Sequence, residues 1–189
     1  MGVAERKGKE RAEREHRITE AARLIAESEG WNAVTIRRLA EEIEYSQPVL
    51  YSHFKNRDAI VAAVAVEGFR EITMALHQAA RASTDHRHAF ESVALAYLAF
   101  AREHPALYEA MFTLPTDLRF AEVETRSELK NAFEALAAVI SPSSANVDVA
   151  TETFWAALHG LAELERSGRI KSSTRIERVA LIVRGLSGW

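Results

Sequence analysis

The stretch from Thr35 to Arg57, TIRRLAEEIEYSQPVLYSHFKNR, holds polar groups whose types and spacing suit a DNA duplex. Ser46, Gln47, Pro48 and Val49 would face bases: the Gln47 amide can pair with an adenine edge, while Pro48 and Val49 offer apolar contact to a thymine methyl. Thr35, Tyr51, His53, Lys55 and Arg57 bring hydroxyl, imidazole and cationic groups suited to phosphate oxygens. Arg37 and Arg38 can reach either a phosphate or a guanine edge.

Such groups need a frame that holds them outward. Leu39, Ala40 and Ile43 share one face of a short amphipathic helix beginning after Thr35, and Leu50 and Phe54 share one face of a second running from Gln47 to Phe54. Each has just enough apolar surface to pack on the other, and Ala40 permits a close crossing. A turn of about three residues, Glu44 to Ser46, forces a steep angle between them, the geometry of a helix-turn-helix. Thr35 and Ser46 are N-cap residue types, and a proline in the first helical turn costs no hydrogen bond. Two short packed helices with a tight turn also occur in any helical domain, and Lys55-Asn56-Arg57 can equally be a solvated loop. Spacing alone leaves both readings open.

The run Thr35-x-Arg37-x-Leu39-Ala40 followed by Ser46-Gln47-Pro48-Val49-Leu50-Tyr51-x-His53-Phe54-Lys55-Asn56-Arg57 resembles the N-terminal domain of tetracycline-repressor (TetR) family regulators, from about Ile18 to Val64. The resemblance implies a DNA-binding regulator, most often a repressor, in which Arg37, Gln47, Pro48 and Val49 read bases while Thr35, Tyr51, His53 and Arg57 hold phosphates. Two departures stand out: Glu44-Tyr45 replaces the family's usual Gly-Val in the turn, and Arg57 replaces its usual lysine. A non-glycine residue in a left-handed turn costs on the order of 1 kcal/mol.

The pattern is helical almost throughout, which predicts an all-α fold of about nine helices. Expected spans are Lys7 to Glu29, Thr35 to Ile43, Gln47 to Phe54, Asn56 to Ala82, His88 to Glu103, Pro105 to Phe112, Asp117 to Ile140, Val147 to Ser167 and Thr174 to Ser187. The loop SPSSAN precedes the last two. A three-helix DNA-binding domain over residues 1–64 and a helical effector-binding and dimerisation domain over 65–189 follow, with the fourth helix as the lever joining them. Phe154, Leu158, Leu161, Ile176, Val179, Val183 and Leu186 lie on the apolar stripes of the final two helices, which could pair with their copies as a four-helix bundle. By the resemblance this is how a homodimer forms, and a dimer would set two recognition helices about 34 Å apart on a palindromic operator.

Aromatic residues concentrate in the second half, and most belong to a core. A subset could line a cavity for a small, largely apolar effector, with Tyr97, Tyr108 and His159 as polar contacts and Met111, Phe112, Phe154 and Trp155 as walls. The string Phe154-Trp155-Ala156-Ala157-Leu158-His159-Gly160 resembles the W-x-x-x-H-G signature of one C-terminal subclass of the family. Simple packing of Trp155 and His159 on one helix face is the alternative. Effector binding would favour a conformation whose recognition helices are wrongly spaced, with a coupling of about 1 to 3 kcal/mol.

Composition narrows the remaining classes. Of 189 residues, 48% are hydrophobic and 27% charged, as in an ordinary globular chain. The net charge of −3 is unevenly spread: 11 Lys/Arg face 10 Asp/Glu through Arg57, leaving 13 against 17 beyond it. The longest apolar run, Ala59 to Val66, is far short of the roughly 20 residues a bilayer requires. No signal sequence or cysteine appears, so a cytoplasmic location is the expectation, without disulfide or thiolate chemistry. No phosphate-binding or dinucleotide glycine motif, and no nucleophile elbow, supports an enzyme, and no cofactor is implied. A carboxylate-bridged di-iron bundle needs two Glu-x-x-His pairs, yet only Glu13-x-x-His16 occurs. His86-x-His88, between Asp85 and Arg87, is a weak metal candidate better read as solvated. A helical adaptor without DNA binding, hinted at by Glu44, is the further alternative.

Overall fold

A computed structural model describes residues 2–83, 85–120, 122, 124–140 and 146–187. Among them are nine α-helices: α1 (Val3–Glu29), α2 (Ile36–Glu42), α3 (Gln47–His53), α4 (Arg57–Arg81), α5 (His86–Glu103), α6 (Pro105–Phe112), α7 (Ser127–Ala137), α8 (Val147–Arg166) and α9 (Arg175–Ser187). Short 3-10 turns lie at Trp31–Ala33 and Ser172–Thr174. No described helix is long and apolar enough to cross a membrane. Most of the SPSSAN loop lies outside the described residues.

Most boundaries follow local chemistry. Gly30 takes φ +83° and ends α1, as a glycine can at no steric cost. Thr35 Oγ1 accepts from Arg38 N at 3.1 Å, Asn56 Oδ1 from Ala59 N at 2.9 Å and Asn146 Oδ1 from Val149 N at 3.1 Å, each satisfying an amide that has no helical partner. The expected helix from Asp117 to Ile140 is shorter, because α7 begins only at Ser127. Thr125 accounts for part of the loss: its Oγ1 accepts from Glu122 N at 2.9 Å and its own amide donates to Glu122 O at 3.1 Å, a local turn that competes with helix. Phe120 is drawn edge-on to Phe69, with centroids 5.7 Å apart.

The chain divides into two compact units: residues up to Gly68 with His104–Arg119, and Phe69–Glu103 with Phe120 onward. The first is thus not the contiguous 1–64 block expected, for it includes α6, which three contacts tie to it. The Glu27 carboxylate accepts from Ala106 N and Leu107 N, both at 3.1 Å, capping the helix from 79 and 80 residues away. Trp31 Nε1 donates to Ala106 O at 2.8 Å. Gly68 lets α6 lie so close that an added Cβ would stand 2.5 Å from Met111 Sδ and 2.9 Å from Leu107 Cδ1. Ile18, Ala22 and Ile25 of α1, Leu39 of α2, Leu50 of α3 and Ile60 and Val64 of α4 are buried in this unit.

The second unit packs α5 against α8 and α9, and α7 against α8. Phe90, Tyr97 and Leu98 of α5, Phe154 and Leu158 of α8, and Val179 and Val183 of α9 are buried. Phe90 and Phe154 meet edge to face with centroids 4.7 Å apart, a favoured aromatic geometry. At the α8–α9 corner Arg175 and Arg178 both bond the Glu165 carboxylate, Arg178 at 2.9 Å. Burial opposes ionisation of that carboxyl, but the two guanidinium groups hold it below the ordinary carboxylate range.

Candidate nucleic-acid interface

In the first unit α2 and α3 are joined by Ile43 to Ser46. Tyr45 N bonds Ala40 O at 2.9 Å, closing the turn, and Glu44 takes φ +56°. This is a left-handed conformation that favours glycine, so Glu44 holds strain on the order of 1 kcal/mol. The Tyr45 hydroxyl accepts from Arg17 Nη1 at 3.0 Å, and the Arg17 guanidinium lies 5.1 Å from its ring centroid. The corner is thereby braced to α1. Sequence reasoning missed this pair because its members stand 28 residues apart.

Only Leu50 of α3 is fully buried, its anchor to the unit. Ser46 precedes the helix in extended conformation, and Ser46, Gln47 and Pro48 are exposed with Val49 half-buried. Tyr51 is 55% exposed, which leaves its hydroxyl open to a partner. Thr35 and Lys55 are exposed too. Arg37 is exposed and bonds Glu41 at 2.9 Å, while Arg38 is shared between Glu42 at 3.0 Å and Glu29 at 3.4 Å. Such exposed pairs are worth little and exchange readily for a phosphate.

Two expected phosphate contacts are occupied otherwise. The His53 side chain is only 6% exposed, with Nδ1 3.3 Å from Glu15 Oε1, so it packs α3 against α1. Arg57 donates from Nε to Val34 O at 2.8 Å and from Nη2 to Trp31 O at 2.6 Å. It braces the start of α4 to the 3-10 turn whose Trp31 in turn holds α6. A cation that spends its fork on backbone carbonyls positions the frame.

The seven expected effector residues do not converge within one unit. Tyr108, Met111 and Phe112 lie on α6 in the first, Tyr108 fully buried with its ring 4.8 Å from that of Phe112. Tyr97, Phe154, Trp155 and His159 lie in the second. There the Tyr97 hydroxyl, within a 1% exposed residue, accepts from Trp155 Nε1 at 3.1 Å, and Phe120 stands 6.3 Å from the Trp155 ring. His159, one turn beyond Trp155, is half-buried, and desolvation pushes its imidazole below the usual pKa.

The expected dimer residues also separate. Phe154, Leu158, Val179 and Val183 sit in the protomer's own core with at most 1% exposure and have no surface to offer a copy. Leu161 and Leu186 are half-buried. Ile176 is 70% exposed, as are Leu181 at 60% and Val149 at 53%. Core and outer face of α8 were indistinguishable in the sequence because both are apolar. Among the described residues no three His, Cys, Asp or Glu side chains gather to hold a metal. His88 is instead bonded by Asp85, which raises its pKa.

Residues 18–64 match the family model for bacterial regulatory proteins of the tetR family, and residues 90–184 match that for the tetracyclin repressor-like C-terminal domain. An uncharacterized HTH-type transcriptional regulator of Mycobacterium tuberculosis is 31% identical over 156 residues, which are 80% of this chain and 69% of that protein. Two solved structures share the fold: a protein of unknown function from Rhodococcus sp. RHA1, with TM-score 0.73 and 23% identity over 91% of this chain and 94% of that one, and the transcriptional regulator FadR from Bacillus subtilis in complex with stearoyl-CoA, with TM-score 0.67 and 13% identity over 90% and 98%. A braced helix-turn-helix with an outward polar first turn, continuous with this sequence match along both halves, makes the chain a member of the tetR family of bacterial transcriptional regulators.

Proposed function

We propose that this regulator is a repressor that binds a palindromic operator as a homodimer and is released by a small, mainly apolar effector. The observation that carries the reading is α3: seven residues anchored by buried Leu50 and, at the far end, by His53, with an exposed Gln47-Pro48 turn beside exposed Tyr51 and Thr35. Gln47, Pro48, Val49 and Arg37 face base edges, while Thr35, Ser46, Tyr51, Lys55 and Arg38 serve phosphates. His53 and Arg57 hold these elements in place.

The dimer face is assigned to the outer side of α8 and α9. Val149, Thr153, Ala156, Gly160 and Leu164 recur at helical spacing on α8, all exposed or half-buried, and Ile176 and Leu181 stand out from α9. An added Cβ at Gly160 would meet nothing within 4 Å, so the protomer itself does not require the glycine. A second copy packed closely on this stripe would. The Glu165 clasp with Arg175 and Arg178 keeps the two helices in register for that contact.

Tyr97, Trp155 and His159 form the polar part of the effector site, with the Trp155-x-x-x-His159-Gly160 string as its subclass signature. The tyrosine hydroxyl already accepts from the indole N–H, and the Phe120 ring stands beside Trp155, which favours a ligand with a substantial hydrocarbon portion. That the fold neighbour FadR is a complex with stearoyl-CoA is consistent with such a ligand class.

Selection from a random duplex pool tests the operator reading. Enrichment of two inverted half-sites about one helical turn apart is expected. A pool with no enriched sequence, or an asymmetric single site, would overturn it.

A further inference from the structure

The N-terminal part of α1 is a helix with nothing packed on it. Every side chain from Ala4 to Arg14 is exposed, and Gly8 sits in mid-helix, where glycine costs about 1 kcal/mol relative to alanine. The ion pairs Arg6–Glu10 at 3.7 Å and Arg11–Glu15 at 2.8 Å return only a few tenths each. Core burial does not explain this segment; apart from Gly8 its residues are strong helix formers, which lets the helix run on past the packed unit with its side chains free for a partner.

Its facing does suggest a role. Ile18, Ala22 and Ile25 form the stripe of α1 turned toward the unit's core. Counting back from Ile18 in helical steps of four, three and four residues reaches Arg14, Arg11 and Lys7. The same face is therefore aliphatic where it covers the helix-turn-helix and cationic beyond it. The change falls beside the recognition helix, because Glu15 is bonded to His53 at its end and Arg17 to Tyr45 just before its start. Glu10, Glu13, Arg14, Arg17 and Tyr45 line a shallow cleft at this junction. Glu5 and Glu13 fall on the opposite half of the helix from Lys7, and Glu10, which flanks the stripe, is paired with Arg6 at 3.7 Å. Lys7 and Arg14 make no ion pair among the described residues, and the Arg11 pair is exposed.

Resting on the operator reading above, we propose that Lys7, Arg11 and Arg14 form a phosphate-binding stripe that grips the DNA backbone outside the half-site read by α3. At 1.5 Å per residue the stripe is about 10 Å long, against one phosphate per 3.4 Å of each strand along the duplex axis. It can engage on the order of three phosphates. Such contacts widen the footprint and add affinity without adding sequence preference.

The test compares the full chain with the triple variant Lys7→Gln, Arg11→Gln, Arg14→Gln, which keeps good helix formers at exposed positions; melting curves verify the fold. Affinity for the selected operator is measured against salt, with hydroxyl-radical footprints of both proteins. The slope of log affinity on log salt is expected to shrink by about 0.9 for each phosphate lost, and backbone protection outside the half-sites to vanish while base preference stays the same. An unchanged slope and unchanged outer protection, with the parent protein bound to its operator, would overturn this inference alone. A parent protein that binds no palindrome would overturn the operator reading and this one together.

Discussion

Replacing Arg57 with alanine separates two roles that the sequence alone could not. As a phosphate clamp, Arg57 would be dispensable for folding and its loss would flatten the salt dependence of DNA binding by about 0.9 per protomer. The geometry assigns it instead to the frame, with its guanidinium on Val34 O at 2.8 Å and Trp31 O at 2.6 Å. Hydrogen bonds to a charged group contribute about 1.5 to 3 kcal/mol each when shielded. The side chain is 35% exposed, so water replaces part of each, and a combined loss of about 2 to 3 kcal/mol is expected. For a chain of this size that lowers the melting temperature by roughly 5 to 10 °C. Circular dichroism melts supply the first reading and salt titrations of operator affinity, taken well below the melting range, supply the second. Arg57→Lys should recover only part of the stability, since a single ammonium cannot reproduce the fork. A variant with parental stability but a reduced salt slope would refute the reasoning and restore the clamp.

Glu44→Gly relieves left-handed strain of about 1 kcal/mol, and after the entropy that glycine adds to the unfolded chain stability should rise by at most about 0.5 kcal/mol in urea titrations, with no loss. Ile176→Glu should give folded monomers by light scattering, whereas Val183→Asp should lose 3 kcal/mol or more of stability, because it buries an unpaired charge in the protomer core. His159 has a depressed native pKa, so the unfolded chain binds a proton that the native chain does not as pH falls below 6.5. Stability is therefore complete above 6.5 and declines as pH drops toward the lower native value; melting at pH 7.5 and 5.5 should show a smaller acid loss for His159→Gln than for the parent.

The helices were largely legible because their apolar stripes recur at helical spacing and the start of α2 carries the Thr35 cap. What escaped was whatever depends on residues distant in sequence. Glu27 capping α6 across 79 residues draws that helix into the DNA-binding unit, and no local pattern announces it. The same holds for Arg57 and His53, whose types suit a phosphate but whose partners are Trp31, Val34 and Glu15. Residues 117–126 carry enough helix formers to suggest a helix, yet among the described residues of that span the Thr125 turn and the Phe120–Phe69 contact stand in its place. On α8 and α9 both faces are apolar, and periodicity marks a stripe without saying which side a copy covers. Gln47, Pro48 and Tyr51 were legible for the opposite reason: they are polar or bulky where the short α3 has only Leu50 to bury.

The account turns on whether the first turn of α3 reads sequence. Affinities of the parent and Gln47→Ala for every single-base variant of the selected half-site measure this directly. The variant should lose about 1 to 3 kcal/mol of discrimination at one base pair and leave preference elsewhere intact. Identical preference profiles for the two proteins, or a uniform weakening at all positions, would contradict the claim.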